Sequence, residues 1–136
     1  RVEEDRLRRA LTGESQMVSP YEVMVPDPRT QAIHAERARV AGRPAPDVAF
    51  ESAEAIIEYA PEEVVGRIAP RAVLFIHAAA DELVPAEESI SMFNHASEPK
   101  RLVLLPGQGH YDVYAGDGFA EVMANAVGWF SAYLRE

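Results

Sequence analysis

Two short, unbroken apolar runs dominate the chain: RAVLFIH at 71–77 and RLVLLP at 101–106. Each is too short for a buried helix, and Val73, Phe75 and Ile76 favour extended backbone. The pattern predicts two fully buried strands of a parallel sheet. Between them PAEESISMFNHA (85–96) has helical spacing, with Pro85 in its first turn and Ile90, Met92 and Phe93 turned inward. After the second strand, Phe119, Val122, Met123, Ala126, Val127, Phe130 and Tyr133 recur at helical spacing, which predicts a closing helix from Asp117 to Leu134. Ahead of the first strand, Ser52 is expected to cap a helix running through AEAIIEYA. Ala55 stands where a capping box would need Glu or Gln, so the cap is a simple one. Pro61 then opens a helical turn, PEEVVGRI, which Pro70 ends.

The order helix, strand, helix, strand, helix implies an α/β fold in which crossover helices cover a parallel sheet. Two strands do not complete such a sheet, and no third convincing one exists in the chain. The C-terminal half therefore reads as one edge of a larger sheet.

Residues 1–50 follow another pattern. RVEEDRLRRAL is a charged, helix-favouring stretch with Val2, Leu7 and Leu11 on one narrow face, and Gly13 is expected to stop it. Three prolines and Asp27 between Ser19 and Pro28 are expected to break any regular element. A helix from about Thr30 to Ala41 and a loop at GRPAPD complete this part. The expected division is thus 1–50, a mainly helical segment with loops, and 51–136, an α/β unit. There are no internal repeats.

Composition narrows the function classes. With 48% hydrophobic residues the chain is globular, and its formal net charge of −9 disfavours nucleic acid and anionic membrane surfaces as partners. The absence of cysteine excludes disulfides, zinc–thiolate sites and thiol nucleophiles within it. No apolar run reaches membrane-spanning length. The first residue is Arg1 rather than Met, so the natural N-terminus is expected upstream, and a cytoplasmic location is the default expectation.

Candidate chemistry gathers in two loops. In parallel α/β sheets, ligand sites form beyond the carboxyl ends of the strands. Here those loops are HAAADELVP (77–85), which holds Asp81, and GQGHYDVYAG (107–116), which holds His110. Adjacent parallel strands would bring both to one sheet edge. A carboxylate beside an imidazole can then fix the ring's tautomer and stabilise its protonated form.

The run IAPRAVLFIHAAADELVPAEESISMF followed by PKRLVLLPGQGHYDVY resembles the end of an α/β hydrolase, in particular the esterase, dienelactone-hydrolase and serine-peptidase-like branches. Their pattern is a strand ending in His-Gly, a loop carrying the triad aspartate before Val-Pro, a strand ending in Pro-Gly, and a Gly-His carrying the triad histidine. The resemblance covers about residues 53–134 and implies that Asp81 is the acid and His110 the base. One departure is Ala78, where glycine is usual. The larger departure is the nucleophile, which the family carries in a G-x-S-x-G elbow upstream of the acid and base. None of Ser15, Ser19, Ser52, Ser89, Ser91, Ser97 or Ser131 has that setting.

The resemblance implies a serine hydrolase cleaving a small-molecule ester or similar acyl bond, with no cofactor and with residues 1–50 in the region of a cap or lid. The serine would come from an N-terminal segment or separate chain, and the 136 residues alone are expected to be inactive toward simple activated esters. The reading from another class is a non-catalytic binding or interaction module with the same fold.

Plainer roles compete at each position. Asp81 could cap the helix near Pro85, but the Val-Pro that follows and the downstream Gly-His favour the catalytic role. His110 stands after a buried strand between glycine-rich turns. His77 is expected to be structural, bonding nearby backbone, and His34 and His95 to be exposed on helices. Asp112 reads as a turn cap and the backup carboxylate. Tyr21 and Tyr114 read as core aromatics before pocket residues. Glu62-Glu63 and Glu87-Glu88 are first-turn helix residues, and no spacing of His, Asp and Glu suggests a metal site.

Overall fold

The structure, a computed structural model, describes residues 1–134. It divides into two compact units, Arg1–Tyr59 and a second from Ala60 onward.

In the first unit, helix α1 (Val2–Thr12) carries Glu3, Glu4 and Asp5 in its opening turn and ends at Gly13. Helix α2 (Pro20–Val23) and helix α3 (Pro28–Ala41) both begin at a proline. Two-residue strands β1 (Met17–Val18) and β2 (Val48–Ala49) pair antiparallel, and helix α4 (Glu51–Glu58) follows.

The segment expected to be broken by prolines thus holds two helix starts. Ser19 forms a capping box with Glu22, and Pro20 occupies the first turn. Asp27 Oδ1 accepts the Thr30 amide ahead of Pro28, so α3 starts two residues before Thr30. Ser or Asp followed by proline supplies the cap and a pre-set φ, which initiates a helix as readily as it ends one. Ser52 does not cap α4 but lies inside it; Phe50 is the cap residue, and the Glu51 amide is taken by Ser15 Oγ.

The first unit is held by charge. Asp5, 4% exposed, accepts hydrogen bonds from the Gln16 amide, the Ser15 hydroxyl and Arg9. Arg6 and Arg9 both bond Glu54, with Arg6 reaching Glu58 and Arg9 reaching Glu51. These contacts bind α4 to α1, which is why the compact unit runs on to Tyr59 rather than stopping at residue 50. A cleft of about 520 Å³ in this unit is lined by Tyr21, Val25, Pro26, His34, Ala38 and Pro44.

In the second unit, two 3₁₀ turns (Pro61–Glu63 and Val65–Ile68) take the place of the single helical turn expected for PEEVVGRI. Strand β3 (Val73–Ala78), helix α5 (Ala86–His95), strand β4 (Lys100–Leu105) and helix α6 (Gly116–Tyr133) follow. The strands pair in parallel from Val73 opposite Lys100 to Ala78 opposite Leu105, and both helices pack on them. The order and elements are those expected of an α/β fold with a small parallel sheet.

The strands are not fully buried, contrary to expectation: only Ala78 and Leu105 are, and the rest of β3 is half-buried. In a sheet of two strands each has a neighbour on one side alone, so apolar side chains keep partial access to solvent. The α5 helix ends against Lys100, whose Nζ donates to the Phe93 and Ala96 carbonyls at 2.8 Å each and lies over the Phe93 ring. A cation at the carbonyl end of a helix satisfies acceptors that the helix leaves open. No helix among the described residues is long and apolar enough to cross a membrane.

Candidate active site

The two loops predicted to hold chemistry meet beyond the ends of β3 and β4. The parallel ladder continues one step past the strands: the Ala79 amide donates to the Leu105 carbonyl, and the Ala80 amide to that of Gln108. Asp81 follows directly. On the other side Gly107, at φ +70, turns the chain after Leu105-Pro106 in a conformation that suits glycine. Ala78, where glycine was expected, sits buried in the strand with no need of positive φ.

Asp81 and His110, 29 residues apart, are joined by a hydrogen bond from His110 Nδ1 to Asp81 Oδ2 of 2.8 Å. The other carboxylate oxygen, Oδ1, accepts the Leu83 and Val84 amides at 2.9 Å each. Asp81 does not cap α5, which has no side-chain cap: one oxygen closes the turn ahead of the helix and the other holds the imidazole. The carboxylate is 6% exposed and the imidazole 30%, so the carboxylate is shielded while the ring is reachable. Burial opposes the ionised form of Asp81, but the Val84 amide, the His110 ring and the Leu83 amide together hold its carboxyl below the usual aspartate value. An ionised carboxylate only accepts, so the proton of a neutral His110 ring sits on Nδ1. Nε2 is then a free base, without a hydrogen-bond partner among the described residues.

His110 is steadied from its own loop. Tyr111 meets its ring edge-on, with centroids 4.9 Å apart. Asp112 Oδ2 accepts the Gly109 amide at 2.8 Å, the turn-capping role expected of it. The short 3₁₀ turn Asp112–Tyr114 packs on the start of α6 at Gly118. A Cβ there would overlap the Asp112 carbonyl oxygen and come within 2.7 Å of Gln108 Oε1. Gly118 is therefore what allows the histidine loop and α6 to close on each other. Nothing in the residue pattern marks it, because the contact depends on how a helix meets a loop.

His77 bonds backbone, through Nε2 to the Val84 carbonyl at 3.0 Å, and also meets Ser89 Oγ through Nδ1 at 2.7 Å. The Ser89 contact had no counterpart in the sequence reading, since it joins a strand end to the following helix. His95 is exposed on α5, as expected, with Nδ1 on the Ser91 carbonyl. His34 departs from expectation. It is half-buried, its Nδ1 is buried without a partner, and its ring lies 5.5 Å from that of Tyr21. Neither Tyr21 nor Tyr114 is a core aromatic: Tyr21 lines the first unit's cleft and Tyr114 is 70% exposed. Among the described residues no group of three or more His, Asp or Glu side chains could hold a metal ion.

Comparison with known proteins sets this geometry in context. No protein-family model matches the chain. A 72-residue segment is 35% identical to the uncharacterized protein YfhR of Escherichia coli, over 51% of this chain and 25% of that protein. A 54-residue segment is 37% identical to the polyketide transferase grgF of a Penicillium species, over 40% of this chain and 18% of that protein. Among solved structures, the α/β hydrolase GrgF from Penicillium superposes with a TM-score of 0.71 at 20% identity, covering 97% of this chain and 47% of that one. DcsB, solved with a substrate analogue, superposes at 0.72 with 19% identity, covering 96% of this chain and 48% of its own. The chain thus spans about half the length of the solved proteins it matches, and its matched segments a quarter or less of the curated relatives. Its fold is that of the C-terminal part of the α/β hydrolases.

Proposed function

We propose that this chain supplies the acid and the base of a Ser-His-Asp triad in a serine hydrolase acting on an ester or similar acyl bond, with the serine on polypeptide outside these residues. The observation that carries the reading is the 2.8 Å hydrogen bond from His110 Nδ1 to a shielded Asp81, which leaves Nε2 unpartnered among the described residues. In this role Nε2 takes the proton of the attacking hydroxyl and later gives it to the leaving group. Asp81 holds the ring in the required tautomer and stabilises the imidazolium. One relative's name, polyketide transferase, extends the reaction class to acyl transfer. The same pair would serve there, because only the acceptor that attacks the acyl-enzyme changes.

The test is His110→Ala in the whole protein with an activated ester. Turnover should fall to background, and near-wild-type hydrolysis would sink the assignment. The 136-residue chain by itself should not hydrolyse such esters. Hydrolysis that persists through purification and disappears on His110→Ala would show that the nucleophile lies within it. If a polypeptide bearing the serine elbow restores no activity, the reading of a non-catalytic binding module takes over.

A further inference from the structure

Asp81 is aimed at His110 by contacts that begin one step further back. The Val84 amide donates to Asp81 Oδ1 at 2.9 Å, while the Val84 carbonyl accepts from His77 Nε2 at 3.0 Å. That residue's backbone is therefore held from both sides. A carbonyl only accepts, so His77 carries its proton on Nε2, and in the neutral ring Nδ1 accepts the Ser89 hydroxyl at 2.7 Å. Ser89 lies in the first turn of α5, and His77 is the penultimate residue of β3. One ring thus joins the end of the strand, the start of the helix and the loop between them. Its Nε2 stands 3.8 Å from Asp81 Oδ2, outside hydrogen-bond reach, and the side chain is 12% exposed.

We propose that His77, braced by Ser89, is a positioning residue that fixes the Val84 peptide, and through it the Asp81 carboxylate and the tautomer of His110. His77 does not touch reacting atoms in this arrangement. It acts because an Asx-type turn closed by two amides keeps its shape only while the peptide supplying one of them is held. Without a donor on the Val84 carbonyl, the turn can rotate and carry Oδ2 away from His110. A neutral imidazole left to itself favours the proton on Nε2, which removes the free base. The meaning of this for catalysis rests on the triad reading, but the positioning itself is measurable without turnover.

The experiment is ring-nitrogen NMR of the full 136-residue chain with labelled histidine, together with hydrogen exchange at the Val84 amide. The parent should show His110 protonated on Nδ1. His77→Ala should move His110 toward the Nε2–H form and speed Val84 exchange by about fivefold to tenfold, the worth of one hydrogen bond. His77→Gln, which keeps a donor for the Val84 carbonyl, should restore both readings, and Ser89→Ala should shift them part of the way. A folded His77→Ala protein with parental His110 tautomer and Val84 exchange overturns the proposal, as does a His77→Gln variant that behaves like alanine. Should His77→Ala not fold, Ser89→Ala decides, and parental readings there overturn it equally. Asp81→Asn separates this from the reading beneath it. If that change leaves the His110 tautomer untouched, the acid–base pair itself fails; if it shifts the tautomer while His77 variants do not, only the positioning role fails.

Discussion

A single carboxylate with two oxygens in different environments sets the chemistry at the residue scale. Asp81 Oδ1 is saturated by two amides and cannot swing, so Oδ2 has a fixed direction, and His110 meets it. Asp81→Asn keeps the shape but presents an amide that no longer fixes the tautomer. On the proposed function, kcat of the whole protein should drop by about 10⁴-fold, the scale of this change in Ser-His-Asp triads. Gly118 makes the opposite prediction. Gly118→Ala drives a methyl into the Asp112 carbonyl, so it should cost about 1–3 kcal/mol in urea unfolding and displace the His110 loop. That Asp81 and His110 would meet was legible in the sequence because each lies at a fixed remove from an apolar strand whose end is itself legible. Gly118 and the His77–Ser89 bridge were not, since both are meetings of elements whose relative placement no residue pattern encodes.

At the scale of elements, what the chain does at its helix ends decides more than its propensities. Prolines at positions 20 and 28 read as breakers in the sequence, yet behind Ser19 and Asp27 they are first-turn residues of α2 and α3. Both signals are made of the same letters, and only the residues that follow tell them apart. The join between α1 and α4 is electrostatic and should respond to acid. The Gln16 amide, then the Ser15 hydroxyl and Arg9, hold the Asp5 carboxyl below its ordinary 3.8, against the opposing effect of burial. With the native value depressed, the stabilisation is complete above 3.8 and is lost as pH falls through the native value. The thermal midpoint should therefore fall on acidification below about pH 4, and Asp5→Asn should flatten that dependence while lowering stability at neutral pH. Asp81 works in the same direction. In the second unit, Lys100→Met removes the ammonium that donates to the last carbonyls of α5. It should lower the unfolding free energy by about 1–2 kcal/mol, read as a lower urea midpoint at an unchanged slope.

The molecule as a whole exposes surface that its sequence pattern meant for a core. Phe119, Met123, Val127, Phe130 and Tyr133 are between 42% and 56% exposed, and all lie on α6. Helical periodicity identified these positions as an apolar stripe without saying what lies opposite, because the partner of a stripe is never written in the stripe. Together with a two-stranded parallel sheet, this surface predicts that the chain self-associates on concentration. Light scattering behind a sizing column should show the mass rising with protein concentration. The rise should steepen with salt, which screens a net charge of −9. Mass that stays at one chain across that range would mean the stripe is tolerated in water.

Because β3, α5 and β4 hold Asp81 and His110 in one continuous strand–helix–strand crossover, the spacing of the two side chains is set within this unit alone. Such a unit is suited to fragment complementation. On the proposed function, fusing it to one of two proteins whose association is in question, with a serine-bearing half on the other, would turn their encounter into the onset of ester cleavage. The signal would then measure assembly, not folding.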